Sequence, residues 1–159
     1  MKQLWAPWRL EYIKSADDEP DCVFCAAVEG DDEERLVVHR ADHAIVLLNK
    51  YPYSSGHFMV APARHLGEYG DLSDDEVLEL HRLASAGMGA LGELYAPQGY
   101  NVGWNLGRSA GAGVVDHVHL HVVPRWGGDT NFMPVLAEVK VLPEHLADTR
   151  RRLEDAWPA

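Results

Sequence analysis

Three histidines alternate with apolar residues in the segment 116–123, which reads DHVHLHVV. Successive side chains of a β-strand point to opposite faces. This period of two therefore places the three imidazoles on one face and Val118, Leu120 and Val122 on the other. A row of imidazoles is costly to desolvate unless each ring finds a hydrogen-bond partner. The pattern therefore favours a reactive strand, here called the triad segment, that carries a nucleophile, a metal ligand or both.

The remaining pattern predicts an α+β fold. Five β-rich runs bounded by turn residues are expected to form strands: 36–39, 44–48, 57–62, 99–105 and the triad segment. The first two are separated by a short polar turn and should form a hairpin. We expect a sheet of about five antiparallel strands, with one long helix and a C-terminal helix over about 143–157.

The long helix is predicted over residues 73–95. Ser73 and Glu76 have the spacing of a capping box, which marks the helix start. Apolar residues recur at helical spacing from Val77 onward, so one stripe should be buried. Three glycines within the helix indicate close packing against the sheet: Gly87, Gly89 and Gly92.

Composition limits the classes of protein to which the chain can belong. Its 159 residues suit one domain, 1–159, with residues 1–30 forming an N-terminal arm. The formal net charge of −11 argues against a general nucleic-acid binder. No apolar run approaches the length of a membrane span and no signal-peptide layout is present, so we expect a cytoplasmic protein without membrane contact.

The only two cysteines, Cys22 and Cys25, form a Cys-x-x-Cys pair within the arm. That spacing is typical of half a metal site or a redox pair, and it also arises by coincidence. A four-ligand zinc site would need two further donors from elsewhere in the chain.

The triad segment resembles the signature of the histidine triad (HIT) superfamily of nucleotide hydrolases and transferases, in which three histidines alternate with apolar residues. A loop and strand from Asn49 to His57, and Asn105 followed by a glycine-rich loop, precede the triad in the family's order. The opening residues 4–9 and the Cys22/Cys25 knuckle look like those of the bacterial branch near dinucleoside polyphosphate hydrolases and phosphorylases.

The resemblance implies roles for four histidines. His119 would attack an α-phosphate and form a covalent nucleotidyl-histidine, from which water releases a nucleoside monophosphate. The backbone carbonyl of His117 would hold the tautomer of His119. His121 would donate to phosphate oxygens, and His57 would do so directly or by positioning His121.

The resemblance also implies contacts with the substrate, a purine nucleotide or dinucleoside polyphosphate. Asn49 matches the position that contacts ribose, and Asn105 matches a position that contacts phosphate. Backbone N–H groups of the loop around Gly111 would form an anion cradle. Many relatives carry a hydroxyl or amide side chain where Gly113 and Val114 stand, so any contact there would come from the backbone.

For the metal, zinc-bearing relatives combine two cysteines with two histidines. The matching positions form a Cys₂His₂ set: Cys22, Cys25, His65 and His117. With all four ligands supplied by protein, the zinc ion would be structural and would tie the arm to the triad segment.

Two features leave the acceptor of the nucleotidyl group open. The third triad position is His121 rather than the glutamine of transferase and phosphorylase branches, which favours hydrolysis. Residues 124–129, PRWGGD, resemble a segment of bacterial diadenosine tetraphosphate phosphorylases, in which phosphate replaces water. A nucleotide-binding protein with vestigial activity is the third alternative.

The family also implies a homodimer, for which Trp5, Trp8 and Tyr12 of the arm are candidate anchors.

Overall fold

The computed structural model describes residues 22–129 and 144–158. The aromatic arm before Cys22 lies outside the described residues, as does the extended segment that the sequence predicts over 135–142. None of the helices in the described ranges is long and apolar enough to cross a membrane.

Five strands form one antiparallel sheet, as the sequence predicts. The strands are β1 (Val37–Arg40), β2 (Ala44–Leu48), β3 (Phe58–Pro62), β4 (Gly99–Trp104) and β5 (Leu120–Arg125). Their order across the sheet is β1-β2-β3-β5-β4, so β5 lies in the interior and β4 at an edge. β1 and β2 form the expected hairpin.

Three helices are described: α1 (Val23–Glu29), α2 (Asp74–Tyr95) and α3 (Leu146–Asp155). The capping box at the start of α2 is present, because Ser73 and Glu76 each accept a hydrogen bond from the other's backbone N–H. The helix ends at Tyr95, and its C-cap Ala96 lies just before Pro97. The C-terminal helix begins later than the predicted Pro143, with His145 as its N-cap.

The two faces of the sheet have different coverings. α2 and α3 pack on one face, where Phe58, Val60 and Val122 belong to the larger core cluster. α1 packs on the other face, over Ile45 and Met59. The triad segment is thus positioned by an interior strand that has helices on both sides.

Close packing of α2 against the sheet is confirmed at one of the three glycines. A Cβ at Gly87 would come within 2.9 Å of the Phe58 ring atom Cε1 and closer still to Cζ, whereas Gly89 and Gly92 have open space around them. The predicted buried stripe is wrong at its first member, since Val77 is 46% exposed. Val77 lies in the first turn of α2, one residue after the capping residue Glu76.

The triad segment also differs from the prediction. β5 begins at Leu120, so only His121 of the three histidines lies within the strand. His117 and His119 precede it, because the ladder with β3 ends at Val60–Leu120 and the ladder with β4 ends at Trp104–Leu120. Before that point the Val118 N–H donates to the Leu66 carbonyl instead.

Candidate active site

His119 is held in one tautomer by the backbone. Its Nδ1 lies 2.8 Å from the carbonyl oxygen of His117. A carbonyl can only accept, so Nδ1 carries the proton and Nε2 keeps its lone pair. Burial holds the pKa of His119 below its ordinary value of 6.5, against an opposing effect of the hydrogen bond to His117. The ring is therefore neutral and nucleophilic near pH 7.

Phe24 of α1 supports the His119 ring from the side. The two ring centroids lie 4.6 Å apart, and the same phenyl ring lies 5.0 Å from His117. Phe24 is almost fully buried. The arrangement fixes the orientation of the imidazole by packing, in addition to its one hydrogen bond.

A second series of hydrogen bonds sets the tautomers of His57 and His121. The Tyr53 backbone N–H donates to Nδ1 of His57 at 3.0 Å, which makes that nitrogen the acceptor. Nε2 of His57 then carries the proton and donates to Nδ1 of His121 at 3.0 Å. In the neutral ring of His121 the remaining proton lies on Nε2. This nitrogen is thus a donor.

Asn105 lies next to that donor. Its side-chain Nδ2 lies 3.5 Å from Nε2 of His121. Because both nitrogens carry hydrogen and would be opposed donors, the amide is assigned the reverse orientation, with its oxygen toward the ring. The amide NH₂ group is then directed away from His121 and is available as a donor to an anion.

The Asn49 side chain is buried and contacts its own loop. Its amide oxygen accepts the Tyr51 N–H at 2.8 Å, and its backbone N–H donates to the His57 carbonyl at 3.0 Å. Asn49 follows β2, two strands from β5 in the sheet. The structure therefore does not place it against His119 directly.

The glycine-rich loop uses part of its backbone internally. The Gly111 N–H donates to the Arg108 carbonyl at 2.9 Å, so this amide hydrogen is directed into the loop rather than outward. Gly111 adopts a left-handed conformation with a φ of 89°. The hydrogen bonds recorded among the described residues do not use the N–H groups of Gly113 and Val114.

The four residues expected to bind metal come together. One ligand atom from each of Cys22, Cys25, His65 and His117 lies within 4.8 Å of the others. The Cys22 Sγ–His117 Nδ1 and Cys25 Sγ–His65 Nδ1 distances are both 3.2 Å. A Cys₂His₂ set suits tetrahedral zinc. The cluster can hold a metal ion.

His117 is oriented for that task. Its Nε2 donates to the Pro62 carbonyl at 2.9 Å, which leaves Nδ1 unprotonated toward the thiols. Such a hydrogen bond on the far nitrogen is typical of metal-binding histidines. A thiolate is the form that binds metal.

A groove over β4 and β5 was not anticipated from the sequence. This β4–β5 groove has a volume of about 500 Å³, and its walls include Tyr53, Asn101, Gly103, His121, Arg125 and Asp129. Arg125 Nη1 donates to the Asn101 side-chain oxygen at 2.7 Å. Asp129 accepts from Arg125 Nε at 2.5 Å and from Nη2 at 3.0 Å. In the sequence, the two-residue period of a strand places His121 and Arg125 on the same face, and this pattern could have predicted that both line one groove.

Comparison with known proteins identifies the class. The family model of the HIT domain matches residues 31–128, and the chain belongs to that family. It is 41% identical to the AP-4-A phosphorylase of Mycobacterium tuberculosis, over 99% of this chain and 85% of the relative. It is 37% identical to an adenosine 5′-monophosphoramidase of Schizosaccharomyces pombe, over 65% of this chain and 74% of the relative.

Solved structures agree with the fold. A Zn-bound histidine triad family protein from Mycobacterium smegmatis superposes with a TM-score of 0.66 at 26% identity, covering 86% of this chain and 92% of that one. A histidine triad nucleotide-binding protein from Sulfolobus tokodaii gives a TM-score of 0.67 at 25% identity, covering 85% and 91%.

Proposed function

We propose that the protein is an enzyme that cleaves a dinucleoside polyphosphate or nucleoside phosphoramidate at the α-phosphate through a nucleotidyl-histidine at His119. The observation that carries the proposal is the 2.8 Å hydrogen bond from His119 Nδ1 to the His117 carbonyl, which leaves Nε2 as a neutral nucleophile. Relatives named as a phosphorylase and a phosphoramidase act on substrates of these classes.

In the first step the Nε2 lone pair of His119 forms a bond to the α-phosphorus, and the bond from that phosphorus to the departing phosphate or amine breaks. The His121 Nε2–H, oriented through His57, donates to an oxygen of the reacting phosphate and stabilises its growing charge. Asn105 and the backbone N–H groups of Gly113 and Val114 add donors. In this proposal Asn49 binds the ribose, as the family resemblance implies.

In the second step an acceptor attacks the same phosphorus and the bond to His119 breaks, which restores the free histidine. Water as the acceptor releases a nucleoside monophosphate, the outcome that His121 in the third triad position favours. Inorganic phosphate would release a nucleoside diphosphate instead. This second candidate is favoured by the 41% identity to an AP-4-A phosphorylase over nearly the whole chain.

We further propose that the metal cluster binds a structural zinc ion. The Cys₂His₂ donor set, the acceptor nitrogen of His117 and the Zn-bound relative support this assignment. Zinc would stabilise the fold by fixing the start of α1 against the triad segment. With four protein ligands it leaves no open position for substrate.

For the whole chain we propose a single domain over residues 1–159, in a protein that is cytoplasmic and homodimeric. Reduced cysteines held as metal ligands suit a reducing compartment. β4 has one ladder partner, β5, among the described strands, so its outer edge is suited to pairing with a second copy.

One assay separates the candidates. Purified protein is incubated with diadenosine tetraphosphate, with and without inorganic phosphate, and the nucleotide products are separated. AMP and ATP formed without phosphate indicate hydrolysis, and ADP formed only with phosphate indicates phosphorolysis. Absence of turnover on this substrate and on adenosine phosphoramidate would contradict enzymatic function and leave a nucleotide-binding protein.

A further inference from the structure

We infer that the β4–β5 groove binds the second nucleoside of a dinucleoside polyphosphate, the one that departs with the leaving phosphates. This inference rests on the proposed function and extends it to the substrate's far end. The groove volume of about 500 Å³ is in the range of small-molecule sites.

The sheet order gives the direction of the substrate. Asn49, proposed for the ribose of the transferred nucleotide, follows β2, on one side of the histidines that precede β3 and lie at the start of β5. The groove lies on the other side, over β5 and β4. A substrate whose α-phosphate is held at His119 and His121 therefore extends its leaving portion into the groove.

The length of the groove fits a chain of phosphates followed by a nucleoside. His121 and Arg125 lie on the same face of β5, four residues apart, so their Cα atoms are separated by roughly 13 Å. Gly103 pairs with His121, and a Cβ at Gly103 would meet nothing within 4 Å, so the groove floor is open beside His121.

At the end of the groove near Arg125, the side chains favour a neutral ligand over a terminal phosphate. The positive charge of Arg125 is compensated by Asp129, whose side chain is only 14% exposed. A phosphate placed there would be repelled by this carboxylate. Asn101 uses its amide oxygen for Arg125, which leaves its NH₂ group as a donor, while Asp129 is an acceptor. Donor and acceptor together match ribose hydroxyls and base edges.

An aromatic side chain completes the match. Tyr53 contributes to the walls of the groove and is 44% exposed, with its ring centroid 4.9 Å from that of His57. Its ring can also stack on a nucleobase, as aromatic side chains do in single-strand binding proteins. The site is therefore expected to prefer substrates with a nucleoside at both ends.

The test compares diadenosine tetraphosphate with adenosine 5′-tetraphosphate, which has the same number of phosphates but lacks the second nucleoside. The measured quantity is the ratio of their kcat/KM values. We expect the wild-type ratio to exceed about tenfold, the equivalent of roughly 1.4 kcal/mol. Asp129→Asn leaves the charge of Arg125 uncompensated, so this variant should lower the ratio at least tenfold and improve use of the tetraphosphate.

The matched control is Asp148→Asn, which removes the more exposed Arg–Asp pair with Arg151 on α3, away from the groove. It should leave the ratio unchanged. A wild-type ratio near one, or equal ratios in the two variants, would overturn the inference. Failure of the wild-type protein to use either compound or adenosine phosphoramidate would instead overturn the proposed function.

Discussion

His119 combines a fixed tautomer with a depressed pKa, and both come from its immediate surroundings. The carbonyl of His117 takes the Nδ1 proton, while burial disfavours the imidazolium form. A histidine exposed on the surface would be partly protonated near pH 6.5 and would lose nucleophilicity there. The two effects together keep Nε2 reactive across the neutral range.

Substitution His119→Ala should reduce turnover of diadenosine tetraphosphate about a thousandfold or more, because no other group supplies the nucleophile. Binding of AMP, measured by calorimetry, should change little. His43→Ala, which removes an exposed histidine from the β1–β2 turn, is the control and should keep full activity. Substantial turnover by the His119 variant would exclude the nucleophile assignment.

The pH dependence should follow the lowered pKa of His119. Neutral His119 is the reactive form, so kcat/KM should fall on the acid side only below pH 6.5, as the ring becomes protonated. The same group makes stability pH-dependent. The unfolded chain binds the proton more tightly, so the free energy of unfolding declines as pH falls below about 6.5. An acid limb centred above pH 6.5 would contradict this.

α2 fits against the sheet because a side chain is missing at one position. Gly87→Ala should destabilise the protein by about 1–3 kcal/mol, since the added methyl group overlaps the Phe58 ring. Gly89→Ala, two residues along the same helix in open space, should stabilise it by roughly 0.5–1 kcal/mol. Urea unfolding measures both. Equal effects from the two substitutions would show that the contact with Phe58 does not determine the stability of the Gly87 variant.

The proposed zinc ion would fix the position of α1. His65→Ala should lower zinc content from about one ion per chain and reduce the free energy of unfolding by about 3–4 kcal/mol, the effect of losing a ligand present at 100 to 1,000 times its dissociation constant. His81→Ala removes another exposed histidine, on α2 outside the cluster, and should do neither. Equal zinc content in both variants, by elemental analysis, would refute the ligand set.

The β4 edge should determine the assembly of the whole molecule. In a homodimer paired through the β4 edges, Val102→Glu would place a negative charge from each copy at the shared edge. The substitution should therefore convert the homodimer into a monomer, measured by light scattering. Val77→Glu is the control, because Val77 is 46% exposed and Val102 is 48% exposed. A wild-type monomer, or dimers in both variants, would contradict edge pairing.

Local sequence pattern predicted the elements well. Each strand depends on a short run of β-rich residues, and α2 on its apolar stripe and the Ser73–Glu76 cap, all of which act over a few residues. The prediction was wrong at the start of β5, which depends on the neighbouring strands. β5 starts at Leu120 rather than within the triad because β4 ends at its partner Trp104 and the Val118 N–H donates to the Leu66 carbonyl instead of to β3, and sequence spacing alone does not contain that limit.

The sequence by itself determined which groups are candidates for the chemistry: three alternating histidines, a Cys-x-x-Cys pair and a glycine-rich loop, each a pattern of near neighbours. Only the tertiary structure brought Cys22 to His117 across 95 positions, set Phe24 against His119, and joined Asn101, Arg125 and Asp129 in one groove. The physical reason is the strand order β1-β2-β3-β5-β4. It places β5 between strands that are distant in sequence, and such pairings are selected by burial of the whole sheet rather than by any local preference.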